Sequence, residues 1–463
     1  MRGAVVQSIK GFHFSRRRFG SVATKRPVST CSRTSSVLFL ATIWPEHSSS
    51  AAGVRTSELV QGFRRWGWSV DFACSAVPNR YTTELEESGV RVHVCPPNKA
   101  DTLKAVIDTC SPGVVVFDRF SSEEAFSFRV RELSPDSLRV LDMQDFHSLR
   151  RARQRVIELG GGVDEAIAAL PVADDAMLVR ELASLHRCDL NLVCSSTETR
   201  LLANHYRVPQ HKLVSAPFFC DQPLPAASLM PFGDRFGFAT IGTLRHPPNV
   251  DCLRWIKAEV WPKIRTALPN AEFSAYGEGP GSKVSQLHDP KQGFHIRGYA
   301  PSLSVLDKHR VLLAPLRYGA GIKGKILDAW SHGLPVVTTP IGAEGTTLAS
   351  GDTGGAAANE DDNDWGGLWR LTDSDSVARA AVSLHEDEPA WVSAQGRGLE
   401  LLGDLFDRDR NLEVVRKAIT AARANLPSLR ACDFEGAMLW HHTARSTEFF
   451  SRWIELKEAS KAD

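Results

Sequence analysis

The chain has 463 residues, 43% of them hydrophobic and 24% charged, and its formal net charge is +1. That length holds two or three domains with a sizeable core. Residues 1–35 carry eight Lys and Arg and no acid, which leaves the rest of the chain at −7, poor ground for binding nucleic acid.

The basic segment 1–35 is also rich in Ser, the composition of an organelle transit peptide, and Arg16-Arg17-Arg18-Phe19-Gly20-Ser21 is similar to a processing region. It predicts a mitochondrial or plastid address, with a cytoplasmic chain as the alternative. No apolar run near the start suits a secretory signal, and none anywhere reaches the roughly 18 residues a membrane-spanning helix needs.

From residue 36, short apolar runs alternate with amphipathic stretches, the pattern of βαβ units around a parallel sheet. Strands are predicted at 37–41, 70–73, 90–94, 114–117, 140–142 and 190–194, with a further one ending at Val214. A helix over 54–66 is closed by Gly67, and another ends at 180–186. Pro217, Pro223, Pro225 and Pro231 then break the pattern, so 217–235 reads as a linker. Beyond it strands are predicted at 238–241, 273–276, 295–297, 311–314 and 336–338, with helices near 249–267, 301–309 and 323–332. Residues 345–375, rich in Gly, Asp and Asn, read as a mobile surface loop before a helical tail. The predicted organisation is a basic segment 1–35, a Rossmann-like domain 36–216, the linker 217–235, a second Rossmann-like domain 236–430 and a terminal helix 431–463. Two such domains leave a cleft facing the carboxyl ends of both sheets. The nine cysteines are scattered with no Cys-x-x-Cys pair, so neither a zinc site nor a redox motif is signalled.

The densest chemical signal is Pro315-Leu316-Arg317-Tyr318-Gly319-Ala320-Gly321-Ile322-Lys323-Gly324-Lys325-Ile326-Leu327-Asp328-Ala329-Trp330. A strand feeds a Gly-rich turn that opens a helix. Glycines let the backbone approach an anion, and the free N–H groups and positive dipole end of a helix suit a diphosphate. Lys323 and Lys325 add mobile positive charge, and Asp328 is placed to accept from a ribose hydroxyl pair. The Walker A pattern is not met. The same residues also read as a Gly-rich turn with a surface Lys325–Asp328 pair at i,i+3.

Together with Gly333-Leu334-Pro335-Val336-Val337-Thr338-Thr339-Pro340-Ile341-Gly342-Ala343-Glu344-Gly345, this block resembles the donor-site region of retaining GT-B glycosyltransferases of the "glycosyl transferases group 1" class, family 4-like. The resemblance spans roughly 36–460. It implies the GT-B fold, an α/β architecture of two Rossmann-like domains facing across a cleft, with a C-terminal helix returning to the first. It implies a nucleotide-sugar donor held by Gly321, Lys323, Lys325, Asp328 and Glu344. Asp328 stands where the family has the second Glu of its E-x7-E motif, and Ala320 stands where it has the first, a contact to the transferred sugar.

Three further segments carry the resemblance. In Gly242-Thr243-Leu244-Arg245-His246-Pro247-Pro248, Thr243 and Pro248 occupy the family's two basic positions, and Arg245 is the natural substitute as a phosphate ligand. The Ser-rich segment 44–55 resembles the first loop of GT-B N-terminal domains, with Gly53 and Arg55 as acceptor or phosphate contacts; a flexible connector is the other reading. Past the strand at 140–142, Asp145 and His147 resemble the polar pair that the family brings into its cleft. They are the candidate catalytic residues, His147 bonding a sugar hydroxyl and Asp145 orienting it. In the tail, Leu439, Phe449, Phe450, Trp453 and Leu456 supply the apolar face predicted to pack on the first domain. Asp373-Ser374-Asp375 is formally a DxD but sits in a late acidic loop and reads as solvated charge.

The function implied is transfer of a sugar from a nucleotide-sugar to an acceptor hydroxyl, with retention. No metal or other cofactor is expected, the nucleotide-sugar being a co-substrate and Arg245, Lys323 and Lys325 supplying charge. The acceptor is a glycan, lipid or small molecule; the expected partners exclude nucleic acid and leave room for peripheral membrane contact. Two alternatives stand: a nucleotide-sugar 2-epimerase of the same fold, and a catalytically silent sugar-nucleotide-binding protein, which Ala320 favours.

Overall fold

The computed structural model describes residues 35–348 and 364–460. The transit-like segment before Ser35 and the middle of the stretch read as a mobile loop lie outside the described residues.

The first half alternates strands with helices in chain order: β1 (Ser36–Ala41), α1 (Ala51–Arg65), β2 (Ser69–Cys74), α2 (Arg80–Glu87), β3 (Arg91–Val94), α3 (Ala100–Cys110), β4 (Val114–Asp118), α4 (Arg119–Leu133) and β5 (Leu138–Asp142). Then come α5 (His147–Glu158), α6 (Val163–Ala168), α7 (Ala176–Arg187), β6 (Leu190–Val193), α8 (Ser196–Arg200) and β7 (Leu213–Ser215). The seven strands form one parallel sheet in the order β3-β2-β1-β4-β5-β6-β7, with Val37 beside both Val70 and Val114. Both faces are covered by helices, which is why β1 and β4 are apolar runs without alternation.

The second sheet is also parallel, in the order β10-β9-β8-β11-β12-β13. Its strands are β8 (Phe238–Ile241), β9 (Phe273–Tyr276), β10 (Phe294–Gly298), β11 (Val311–Ala314), β12 (Val336–Thr338) and β13 (Gly367–Leu368). Its helices are α9 (Pro247–Trp255), α10 (Trp261–Ala267), α11 (Ser282–Ser285), α12 (Gly324–Ser331), α13 (Pro340–Ala343), α14 (Ser374–Glu386) and α15 (Glu388–Phe406). The helix predicted over 249–267 widens into a π turn at Ile256–Val260, just ahead of Pro262, which has no N–H to give that turn. The helix predicted over 301–309 is a single 3-10 turn, Leu303–Leu306, because the Lys308 carbonyl and the Arg310 amide bond to Phe236 and Gly237 at the edge of β8 instead. Part of the predicted surface loop is structural: β13 extends the sheet, and Trp365 is buried with its Nε1 donating to Thr346 Oγ1 at 3.1 Å.

The chain returns to the first sheet earlier than residue 431. The Cys220 amide donates to the Phe406 carbonyl at 2.7 Å and the Arg408 amide to the Cys220 carbonyl at 2.9 Å, so two chain segments cross side by side. Beyond them α16 (Arg408–Ala424) buries Leu412, Val415 and Ile419 against Phe39 and Phe63. After α17 (Leu426–Ala431), α18 (Phe434–Ala459) docks on α4 and α7. It docks through Trp440, whose Nε1 donates to the Arg187 carbonyl at 3.2 Å, and through Ser451 and Glu455, which meet Arg129. The predicted apolar face is corrected here: Phe449, Phe450, Trp453 and Leu456 point outward, Phe450 at 61% exposed, because the docked face is set by residue 440 and its helical neighbours at 451 and 455. Among the described residues, no helix is long and apolar enough to cross a membrane.

Candidate functional site

In both sheets strand order reverses beside the first strand, between β1 and β4 and between β8 and β11. Crevices at such points are where open α/β sheets bind ligands. The loops leaving those strands, with that leaving β5, form the cleft.

After β1, residues 42–50 fold back on the start of α1. Ser50 caps the helix, accepting from the Gly53 amide at 3.0 Å, and a Cβ on Gly53 would lie 2.4 Å from the backbone of Glu46. The loop meets the second half of the chain where Thr243 Oγ1 donates to the Ser49 carbonyl at 2.9 Å. Arg55 is not part of a phosphate loop. It is fully buried, with Nη2 2.8 Å from Asp142 Oδ1 and Nη1 donating to the carbonyls of Ala216 and Pro217 at 2.6 and 3.0 Å. One turn into α1 its side chain points under the sheet end rather than into the cleft, and it pins α1 to β5 and to the first linker residues.

After β5 the backbone turns through Gln144, at φ +65°, a left-handed conformation that a non-glycine residue keeps only when its surroundings impose it. Here its buried amide nitrogen is within hydrogen-bond reach of Thr56 Oγ1, Asp118 Oδ1 and Asp142 Oδ2, at 3.1, 3.2 and 2.9 Å. The turn presents Asp145, which holds His147 Nε2 at 3.0 Å and the Arg150 guanidinium. Burial would raise the Asp145 carboxyl, but Arg150 and His147 outweigh it and hold it below the ordinary carboxylate range. His147 opens α5, its amide donating to Glu181 Oε1 at 2.7 Å.

The Gly-rich turn after β11 leads into α12, whose N-cap, Lys323, makes no side-chain cap; the Ile326 amide of the first turn donates back to the Lys323 carbonyl at 2.9 Å. Lys325 Nζ donates to Asn249 Oδ1 at 2.7 Å, and a Cβ on Gly242 would lie 3.5 Å from that ammonium. Lys325 therefore reaches the turn after β8. Burial lowers its pKa, and burial pushes the neighbouring Asp328 carboxyl up to about 7, with Lys325 only partly offsetting it. Arg245 does not join them: it is exposed, with Nε donating to the Gly279 carbonyl at 3.0 Å. Lys323 turns inward, donating to the Gly321 carbonyl at 2.7 Å and lying 3.6 Å from Glu344.

The two walls touch. Gly321, at φ +66°, packs so closely that a Cβ there would lie 2.9 Å from Asp145 Cβ. Arg153 of α5 forks onto Glu344 and donates to the Gly319 carbonyl at 2.9 Å. Glu198 of α8 accepts from the amides of Phe146 and Gly321. His246, at the cleft rim, is open to water on one side yet crowded by protein; that burial, with Arg150 and Lys325, pushes its pKa down to about 4.

Residues 235–387 match the family model described as glycosyl transferases group 1. That segment is a glycosyl transferases group 1 domain, and the chain is a glycosyltransferase of the GT-B fold. Sucrose-phosphate synthase from Thermosynechococcus elongatus is similar in structure, with TM-score 0.61 and 13% identity over 83% of this chain and 100% of that one. HepE from Anabaena, solved with UDP and glucose, has TM-score 0.61 and 11% identity over 83% and 99%. A glycosyltransferase from Rickettsia africae has TM-score 0.58 and 9% identity over 83% and 97%. No curated protein matches the chain by sequence.

Of the sequence-predicted residues of this glycosyltransferase, Asp145, His147, Gly321, Lys323, Lys325, Asp328 and Glu344 line or wall one cleft. Gly53 shapes the loop beside it, Arg55 lies beneath it, and Arg245 stands at its edge. Sequence reasoning missed Arg153 and Glu198. Arg153 is one of several arginines in α5, with nothing to single it out. Ser195-Ser196-Thr197-Glu198 has the form of a capping box, in which the Glu turns back to its own helix start. Ser195 does cap the Glu198 amide, at 3.4 Å, but the Glu198 carboxyl crosses the cleft instead.

Proposed function

We propose that this glycosyltransferase moves a sugar from a nucleotide-diphosphate sugar to an acceptor hydroxyl, with retention and without a metal cofactor. The observation that carries this reading is that Lys325, in the first turn of α12, reaches the turn after β8, while the Gly321 turn leading into the same helix packs against Asp145, the partner of His147. Fixed positive charge and amide donors there would stabilise the departing diphosphate as an oxocarbenium-like centre develops. The acceptor oxygen bonds to the anomeric carbon on the face from which the phosphate leaves. The carbon–phosphate-oxygen bond breaks, and the hydroxyl proton passes to the leaving phosphate. Asp328 is suited to hold the ribose and His147, steadied by Asp145, a hydroxyl of the transferred sugar. The 2-epimerase and the silent binding protein remain the competing readings, separated by whether a donor is consumed and whether an acceptor is required.

A thermal-shift screen over UDP-, GDP-, ADP- and dTDP-sugars tests the reading first, since a ligand that binds only the native state raises its stability. UDP-glucose heads the series because HepE, with the same fold, was solved with it. Transfer to an added acceptor supports the proposal. Epimerised donor with no acceptor supports the first alternative, and binding without turnover the second.

A further inference from the structure

Glu198 has an arrangement that neither packing nor helix capping explains. Its carboxyl is buried, and a single oxygen, Oε1, accepts from two backbone amides on opposite walls of the cleft: Phe146 N at 3.1 Å and Gly321 N at 2.7 Å. Oε2 is buried with no hydrogen-bond partner among the described residues. Phe146 stands between Asp145 and His147; Gly321 stands in the turn that leads to Lys323 and α12. The charges facing the carboxyl are Asp145 from the loop after β5, Glu344 from the end of α13, and Lys323 from the start of α12. A buried acceptor next to two other carboxylates is a costly choice where an apolar side chain would fill the space, and such choices mark positions held for geometry.

We propose that Glu198 is a positioning residue of the transfer site, the link that holds the Gly321 turn in register with the Asp145–His147 loop. The proposal rests on the reading of this cleft as the transfer site. The link is local on both sides. The Phe146 amide sets where His147 begins α5, and the Gly321 amide belongs to a left-handed residue already pressed against Asp145, so neither loop shifts without the other. Lys325 and Asp328 make no hydrogen bond to Glu198. Loss of the link should therefore spare nucleotide affinity and lower turnover, since the reacting groups lie on both walls while the nucleotide contacts lie on one.

Two variants of the full chain test this. E198M keeps the volume without an acceptor, and E198Q keeps an acceptor oxygen for both amides. The measurements are UDP affinity by calorimetry, kcat and KM for consumption of UDP-glucose, and amide hydrogen exchange of segments 143–149 and 317–325. In E198M, kcat should fall about tenfold or more while UDP affinity stays within about threefold, and E198Q should recover most of the loss. Both segments should exchange faster together in E198M and slowly again in E198Q. Unchanged exchange in E198M, faster exchange in one segment alone, an E198Q no better than E198M, or parallel loss of UDP affinity and kcat would each overturn the proposal. If the wild-type protein neither binds UDP nor consumes UDP-glucose, the donor reading for that nucleotide fails, and the exchange measurement still decides whether Glu198 couples the two loops.

Discussion

Arg153 holds Glu344 across the cleft in a two-pronged ion pair, Nη1 to Oε2 at 2.7 Å and Nη2 to Oε1 at 2.6 Å, and the same Nη1 reaches the Gly319 carbonyl. The pair joins α5 of the first sheet's layer to the residue after α13 of the second, so it fixes how the walls face each other. Arg153 and Lys323 outweigh the effect of burial and hold Glu344 below the ordinary carboxylate range.

Removing one partner strands a buried charge, which typically costs about 3–5 kcal/mol. Arg153→Met is expected to destabilise by that order, and the double variant Arg153→Met with Glu344→Gln by less than the sum of the singles. Urea unfolding of the four proteins measures this, and additive losses would show that the pair is not coupled.

The donor loop predicts a division of kinetic effects. A charge-assisted contact is worth roughly 1.5–3 kcal/mol, so Lys325→Ala should lower kcat/KM by about 10- to 150-fold. Asp328→Asn should act on donor affinity, because it alters a ground-state contact. Arg245→Ala, at the cleft edge, should cost less than either lysine. Wild-type kinetics for Lys323→Ala, Lys325→Ala and Asp328→Asn alike would move the donor site elsewhere.

Arg55 predicts the reverse pattern. Arg55→Met leaves Asp142 buried without its partner, so it should lower stability by about 3–5 kcal/mol while the folded fraction binds nucleotide as the wild type does. A selective loss of nucleotide affinity with unchanged melting would restore Arg55 to the phosphate site.

Two carboxyls give the cleft a pH signature. The folded chain holds Asp328 protonated to about pH 7 and Glu198 to about pH 8, against ordinary values of 3.8 and 4.5. Between those limits the folded state binds more protons than the unfolded one, so both groups make stability fall as pH rises through that window. Asp328→Asn and Glu198→Gln should each flatten the profile between pH 4.5 and 7.5. Melting temperatures across that range check it, and a profile no flatter in either variant would contradict these environments.

At the far end, Trp440→Ala should cost about 3–5 kcal/mol, as for other buried large-to-small changes, whereas Phe450→Ser should stay within about 0.5 kcal/mol. Deleting residues 435–463 should lower the melting temperature. Equal effects of the two point variants would mean that α18 docks by another face.

What the sequence by itself determined is local. Apolar runs of four to six residues such as Val37 to Leu40 and Val311 to Ala314 name their strands, because a parallel strand covered on both faces has no polar side to blur the signal. The Gly-rich turn and its lysines are legible for the same reason, since chain neighbours make the turn that opens α12. Other elements hide in the sequence: α4 carries Phe120, Phe126, Phe128 and Val130 on every side. Tertiary structure alone decided which charges face the cleft. Arg55, Arg153 and Arg245 differ little as letters. One is sealed under the sheet by Asp142, one spans the walls to Glu344, and one lies exposed beside Gly279. Glu198 follows a helix-start pattern that predicts a partner three residues back, yet its partners are 52 and 123 residues away. A long charged side chain is not bound to its own helix. It goes where burial and a free amide together lower its energy, and those amides meet only once both sheets have folded and the chain has crossed back at Cys220 and Phe406.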